Sequence, residues 1–308
     1  MNMSSFPSWS FVFTELCSYT LAFFCLRHAW RRERYMLLIM LSAIAYAFLL
    51  EYLAVTHNPP AYRYNQFVIK LPGPVPLGIC LSWGTIFYSV IHIGKLLSIP
   101  LYLRPLLSAL LATGIDFVLD PIAVALGFWT WEIPVQWFGI PWSNYAGWFI
   151  VIMSFSYTHL KGYQRFPPNC KGFWGDFLVA FLAIIPSFFF YLIAMQSYLW
   201  LAGSQWIPEE LLVVVIFGVA LILLFRYLPQ FRRNHSIDGV ILAVPLTLYT
   251  WSVVELFISG FYAKYPVLVI VLPSLALLGI IGFTWPYLDK LLPKITAAIR
   301  DEKKEQKA

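Results

Sequence analysis

Two aspartates stand one helical turn apart in an apolar stretch of the chain. Asp116 and Asp120 begin and end the segment DFVLD, so a helix places both carboxyl groups on one face. Carboxyl groups inside a bilayer are costly, and for that reason they are functional candidates. Two neighbouring carboxyl groups can also share one proton, because repulsion between like charges favours one charged and one neutral group. The pair therefore indicates acid chemistry within a membrane.

Tryptophans crowd the segment directly after the aspartates. They are Trp129, Trp131, Trp137, Trp142 and Trp148. Trp and Tyr are the expected residues of a membrane interface, and this explanation covers any single tryptophan. Five of them beside two buried acids favour a lined pocket, and aromatic faces also stabilise cations.

A second segment, rich in proline and tyrosine, interrupts the helical pattern earlier in the chain. It reads THNPPAYRYNQFVIKLPGPVP and contains Tyr62 and Tyr64. Glu51 lies just before this segment, and Glu132 lies within the tryptophan-rich one. We expect both glutamates near the same outer membrane face as the aspartates, which makes them further candidate acids.

The composition excludes a soluble globular domain. Hydrophobic residues make up 60% of the 308 residues, charged residues make up 12%, and the mean hydropathy is +0.72. The sequence therefore predicts an all-α, polytopic membrane protein with about nine spanning helices, eight being possible. The apolar runs cover residues 9–26, 35–54, 75–94, 105–126, 145–160, 177–200, 211–228, 239–259 and 266–286. The fifth run is short for a span.

The basic residues predict how the chain crosses the membrane. With the N-terminus outside, Lys and Arg collect in the inner loops, and of 21 such residues only Arg63, Lys70 and Lys264 fall outside. We therefore expect the C-terminus inside, with one transmembrane domain over residues 1–290 and a charged cytoplasmic tail over residues 291–308. The net charge of +6 follows from this asymmetry, so we expect membrane lipids as partners and no nucleic acid.

Common motifs of metal and nucleotide sites are absent from the sequence. The four cysteines form no CxxC pair, which speaks against a zinc site or a disulfide framework. The sequence also contains no glycine-rich nucleotide loop, no GxSxG elbow and no HExxH motif. We predict neither a metal nor a cofactor.

Two blocks of the sequence resemble a known membrane family. The string from Asp116 to Trp148, with its LDP, GFWTWE, GIPWSN and GW elements, resembles the integral-membrane carotenoid 1,2-hydratases. That family includes gamma-carotene hydratases and bisanhydrobacterioruberin hydratases. The block EYLAVTHNPPAYRY, followed by LPGPVPLGICLSW, is similar to the other half of the family signature. The chain departs from that signature between His57 and Tyr64, where it lacks both glycines of the form Thr-Gly-x-Pro-Phe-Gly-x-Tyr-x-Tyr.

The resemblance implies addition of water to the terminal C=C bond of an acyclic carotenoid end group, giving a tertiary alcohol. It implies a carotenoid or related polyene from the bilayer of a prokaryotic cell membrane, with water and without a cofactor. An acid must protonate the alkene, and the resulting tertiary cation must be shielded until water reaches it. The candidate acids are Asp116, Asp120, Glu51 and Glu132. The candidates for binding substrate, shielding the cation or orienting water are Tyr62, Tyr64, Trp129, Trp131, Asn144 and Trp148.

Several candidate acids also have a plainer explanation. Asp120 precedes Pro121, and a carboxyl group at such a position often caps a broken helix. Glu51 could pair with an arginine. Glu15 and Glu255 could be core residues whose hydrogen bonds are satisfied.

Two other functional classes remain open. The DxxxD spacing of Asp116 and Asp120 also occurs in intramembrane prenyltransferases of the UbiA type, which hold a diphosphate through magnesium ions and two aspartate-rich motifs. Here no Asn precedes Asp116 and no second DxxxD motif appears. A non-catalytic transporter or lipid-binding protein would also explain proline-broken helices with buried acids, although the two halves show no inverted repeat.

Overall fold

Ten α-helices account for most of the chain. The computed structural model describes residues 9–97, 99–168, 172–204, 206–227, 235–236, 238–288 and 293. Within these residues the helices are α1 Trp9–Arg32, α2 Arg34–Thr56, α3 Leu77–Leu96, α4 Arg104–Ala125, α5 Trp142–Arg165, α6 Gly172–Leu182, α7 Ile184–Gly203, α8 Glu209–Phe225, α9 Gly239–Ile258 and α10 Leu268–Thr284. The predicted all-α class of a polytopic membrane protein is confirmed.

Each predicted apolar run falls on a helix. Over the described ranges, seven stretches are long and apolar enough to cross a membrane, and these seven do not include α5 and α8. α6 and α7 together form one such stretch, Gly172–Gly203, with a break at Ala183. Pro186 lies in the first turn of α7, where it removes a backbone N–H that a continuous helix would use. α5 has 24 residues and extends beyond its predicted run at both ends.

The central helix of the bundle is α4. It packs against α3, α5, α9 and α10, and it has the largest buried share of the candidate spans. Ala109, Ala112 and Thr113 are fully or almost fully buried, and small residues at such positions let neighbouring helices approach closely. Both aspartates lie on this helix, so they are placed in the interior of the protein.

A small antiparallel ribbon joins the two segments that interrupt the helical pattern. β1, Tyr62–Tyr64, pairs with β2, Trp129–Trp131, in the register Tyr62 to Trp131 and Tyr64 to Trp129. These four aromatic residues share one face, because side chains alternate along a strand. The ribbon is the one addition to an otherwise helical architecture in the described part of the chain. It brings together residues that are far apart in sequence.

Glu15 holds the loop between the ribbon and α3. Its buried carboxylate accepts hydrogen bonds from the backbone N–H of Val68 at 2.7 Å and from the Tyr19 hydroxyl at 3.0 Å. A more distant donor is the N–H of Ile69, at 3.4 Å. The plainer explanation of Glu15, a satisfied core residue, is therefore correct.

Part of the predicted charge pattern lies outside the described residues. Lys171, Arg232, Arg233 and every basic residue from Lys290 onward fall there, as does all of the tail predicted at residues 291–308 except residue 293. The orientation of the chain across the membrane and the boundary of its tail therefore stay predictions.

Candidate active site

Asn144 joins the two aspartates of α4. Asp116 and Asp120 are 0% and 2% exposed. Asn144, in the first turn of α5, donates from Nδ2 to Asp116 Oδ2 at 2.9 Å and to Asp120 Oδ2 at 2.8 Å. One amide nitrogen carries two hydrogens, so it can serve both carboxyl groups at once. The structure thus brings together three residues that the sequence predicts for the site.

Asp116 and Asp120 differ in their hydrogen bonds. Asp120 precedes Pro121 inside α4, and its carboxyl group bonds across to α5, which goes beyond the role of a local cap. Asp116 Oδ1 is buried and accepts no hydrogen bond from a donor in the described part of the chain, while the Asp116 carboxyl group lies within hydrogen-bonding reach of the Asp120 carboxyl group. A buried polar oxygen without a donor is unusual in a folded protein and points to a functional use.

Aromatic rings pack beside the aspartates. Tyr145 stacks on Phe117, with ring centroids 4.0 Å apart and planes 12° apart. Trp142 lies against Tyr145, and Trp137 against Trp142. The Tyr145 hydroxyl is buried, lies near both aspartates, and has no hydrogen-bond partner among the described residues. This cluster forms an apolar wall around the acids with one hydroxyl near them.

Glu51 is the third buried acid of the region. Near the end of α2, its Oε2 accepts from the hydroxyls of Tyr62 and Tyr64, the latter at 2.6 Å, and its Oε1 accepts from Trp83 Nε1 at 2.8 Å. The alternative in which Glu51 pairs with an arginine is therefore wrong. Burial and the Glu51 charge raise the pKa values of Tyr62 and Tyr64, so both hydroxyls stay protonated donors.

A tryptophan stack links the two acid sites. Trp83, which binds Glu51, stacks on Trp148 with ring centroids 3.9 Å apart and planes 20° apart. Trp148 follows Asn144 by four residues, so both lie on one face of α5. The acids of α2 and α4 consequently belong to one connected region at one end of the bundle.

The ribbon places its aromatic residues over Glu51. Tyr62 packs against Trp131 with centroids 5.0 Å apart, and Tyr64 packs against Trp129 with centroids 6.1 Å apart. Trp131 Nε1 is buried and has no partner among the residues described. Of the four ribbon residues predicted for substrate binding, the two tyrosines meet at Glu51 and the two tryptophans pack against the tyrosines.

Glu132 lies away from the buried acids. Its Oε1 is 3.0 Å from Arg63 Nε on the outer face of the ribbon, and the two side chains are 38% and 67% exposed. Exposed ion pairs contribute little to stability, because water screens them. The structure does not bring Glu132 to the aspartates.

Two residues of this region, Trp83 and Tyr145, were not among the sequence candidates. Trp83 lies inside the block LPGPVPLGICLSW, and Tyr145 directly follows Asn144. An indole N–H or a phenol inside a membrane usually needs a polar partner. That need is a signal in the sequence, but it does not say which acid is the partner.

One cavity is a groove between α1 and α9. Its volume is about 790 Å³, and its lining includes Phe13, Cys17, Thr250, Trp251 and Glu255. Trp251 packs against Phe128, the residue before β2, with ring centroids 5.9 Å apart. The groove therefore reaches the ring cluster of the ribbon, although the aspartates are not in its lining.

The chain is similar in sequence to a known protein family and to a relative in a haloarchaeon. Residues 10–218 match the family described as carotenoid biosynthesis protein, a range that contains the candidate acids, Asn144 and the residues of the ribbon. A relative, the bisanhydrobacterioruberin hydratase of Haloarcula japonica, is 41% identical over 76 residues, which are 23% of this chain and 25% of the relative. No solved structure matches the chain. Because the family match extends over more than half of its length, the chain belongs to the carotenoid biosynthesis protein family.

Proposed function

We propose that the protein is a carotenoid hydratase, a hydro-lyase that adds water to the terminal C=C bond of an acyclic carotenoid end group. The observation that carries this proposal is the buried pair Asp116 and Asp120, held by one Asn144 amide among aromatic rings. The family match and the name of the haloarchaeal relative support the same chemistry.

In the proposed first step, a protonated aspartate gives its proton to the less substituted alkene carbon. The π electrons form the new C–H bond and leave a tertiary cation, while the aspartate becomes a carboxylate. Asp116 Oδ1 is the atom best suited to carry this proton, because Asn144 occupies Oδ2 and leaves Oδ1 without a donor. Asp120 is then the charged member of the pair.

In the second step, a water oxygen bonds to the cation and its surplus proton returns to the aspartate pair. The balance is one alkene and one water consumed, one tertiary alcohol formed, and the acid regenerated. The faces of Tyr145, Trp83 and Trp148 are suited to stabilise the cation before water arrives. No external oxidant or reductant is required.

Glu51 takes a positioning role in this proposal. Its two oxygens already accept three hydrogen bonds, so it is poorly placed to give a proton to an alkene. It instead holds the aromatic face of the ribbon close to the aspartates. Glu132, which is exposed and ion-paired, has no part in the proposed proton transfer.

The polyene is proposed to approach through the groove between α1 and α9. A carotenoid partitions into the bilayer, so its route begins in lipid rather than in water. The groove has room for an apolar chain, and Trp251 connects it to Phe128 and the ribbon. It also lies at the end of the bundle that holds the aspartates.

The prenyltransferase and transporter alternatives gain no support from these contacts. A magnesium-bound diphosphate needs several carboxylates around the metal. Among the residues that the structure describes, no group of three or more His, Cys, Asp or Glu could hold a metal ion. The Oδ2 atoms of both aspartates instead accept hydrogen bonds from the Asn144 amide.

Isotope labelling tests the proposed reaction. A host that produces the acyclic carotenoid, and expresses this chain, should make a tertiary alcohol whose hydroxyl oxygen comes from heavy-oxygen water. Under labelled dioxygen in ordinary water, the same product should stay unlabelled. Label from dioxygen would mean an oxygenase and would overturn the hydratase proposal, as would the absence of any new pigment.

A further inference from the structure

A second cavity lies at the end of the bundle opposite the aspartates. Its volume is about 220 Å³, far more than the roughly 30 Å³ that one water molecule takes up in the liquid. It is enclosed by the beginnings of α2 and α4 and the ends of α3 and α5. Two cations, Lys95 and Arg104, contribute to the lining, and no Asp or Glu does. The cavity is therefore electropositive.

Arg104 has no ion-pair partner in the described part of the chain. Its Nε is buried and makes no hydrogen bond. The hydroxyl of Ser156, which lines the same cavity, is also buried and has no hydrogen-bond partner among the residues that the structure describes. Buried polar groups in folded proteins are normally bonded, because an unbonded one costs about 1 to 3 kcal/mol. Two unused groups at one cavity point to a ligand with oxygen acceptors.

The charged residues of the cavity lining indicate the charge of that ligand. Lys95 is already paired with Glu33 at 2.6 Å and with the Tyr35 hydroxyl, so Arg104 supplies the uncompensated charge. The ligand should therefore carry a negative charge.

The ligand should also carry an apolar part. Most of the other residues that line the cavity are apolar, among them Met36, Ile39, Ile91, Leu101 and Leu160. Basic cavities between helices near a membrane surface are suited to the head groups of anionic lipids. We infer that this cavity binds the phosphate of an anionic phospholipid, with Arg104 and Ser156 donating to its oxygens and the acyl chains lying along the apolar lining.

Lipid retention by the purified full-length chain tests this inference. The protein in mild detergent would be incubated with phosphatidylglycerol or phosphatidylcholine, and the bound lipid would be measured by native mass spectrometry. Phosphatidylglycerol should be retained more strongly. Arg104→Gln should weaken its retention roughly 10-fold or more, the usual effect of losing a hydrogen bond to a charged group. Arg27→Gln, an exposed arginine of α1 outside the cavity, should leave retention unchanged.

Three results would overturn the inference. Equal retention of the two lipids would mean that the cavity does not select a negatively charged ligand. Unchanged retention in Arg104→Gln would mean that Arg104 does not bind the ligand. Displacement of phosphatidylglycerol by inorganic phosphate at low millimolar concentration would assign the cavity to a soluble anion. If Arg104→Gln does not fold, Ser156→Ala carries the test. It should weaken retention roughly 2- to 10-fold, and no change would count against the site.

Discussion

At the scale of single residues, the proposed reaction depends on a proton held by the aspartate pair. Asp116→Asn and Asp120→Asn keep the volume and remove the acid, so each should lower product formation about 100- to 10,000-fold. Pigment yield at equal protein level is the measurement. Glu210→Gln, an exposed acid at the start of α8, is the matched control and should keep full yield. Full activity in both Asn variants would move the proton donor elsewhere.

The Asn144 side chain permits a separate prediction about alignment. Asn144→Ala leaves both aspartates in place but removes the donor that orients their Oδ2 atoms. Losing a hydrogen bond to a charged group should reduce the rate roughly 10- to 100-fold, less than losing an aspartate. Initial rates with a solubilised carotenoid would show this order. An Asn144→Ala rate equal to that of the unchanged protein would contradict the alignment role.

The aspartate pair could be predicted from sequence, because the four-residue spacing on a helix fixes which side chains share a face. The partners of Glu51 could not be predicted in the same way. Trp83 lies 32 positions away on another helix, and only packing decides that its indole meets Glu51 rather than lipid. The exposed position of Glu132 likewise depends on the register of the ribbon, which sequence patterns do not reveal.

At the scale of elements, Glu51 attaches the ribbon to α2, whereas the exposed ion pair of Arg63 and Glu132 does not. Glu51→Ala should lower the free energy of unfolding by about 3 kcal/mol or more, because three buried donors lose their acceptor. Arg63→Ala breaks the exposed pair with Glu132 and should cost less than about 1 kcal/mol. Unfolding in detergent, followed by tryptophan fluorescence, compares the two. Similar losses of unfolding free energy in the two variants would argue against Glu51 as the attachment point of the ribbon.

Close packing of α9 and α10 gives another prediction at this scale. A Cβ at Gly279 of α10 would collide with the ring and hydroxyl of buried Tyr249, so Gly279→Ala should destabilise the protein by about 1 to 3 kcal/mol. Gly218 in α8 has nothing within 4 Å of such a Cβ. Gly218→Ala should be neutral or stabilising by up to about 1 kcal/mol, because Ala favours a helix. Thermal unfolding of both variants checks the contrast.

The helices themselves could be predicted because apolar runs of this length have few alternatives. The break at Ala183 and the ribbon could not. A break next to Pro186 leaves the apolar run unchanged, and strands of three residues are too short to show an alternating pattern. Both features depend on contacts that form only in the folded chain.

At the scale of the whole molecule, the distribution of Lys and Arg predicts a fixed orientation. We expect the N-terminus outside and the C-terminus inside, because only Arg63, Lys70 and Lys264 break the charge asymmetry. Reporter fusions that are active on one membrane side only, placed at each end, measure this directly. Reports from the same side at both ends would mean an even number of spans.

The pairing of β1 with β2 also has a consequence for synthesis. The ribosome releases Tyr62 and Tyr64 well before their strand partners, with α3 and α4 between them. Glu51 can therefore bind the tyrosines early, but their partner strand arrives only when α4 has entered the membrane. Asn144 emerges later still, so the two aspartates remain without their common amide until α5 begins. A nascent chain stalled before Trp129 should thus be inserted into the membrane but inactive. The progress of translation, rather than the binding of a ligand, would then determine when the site is complete.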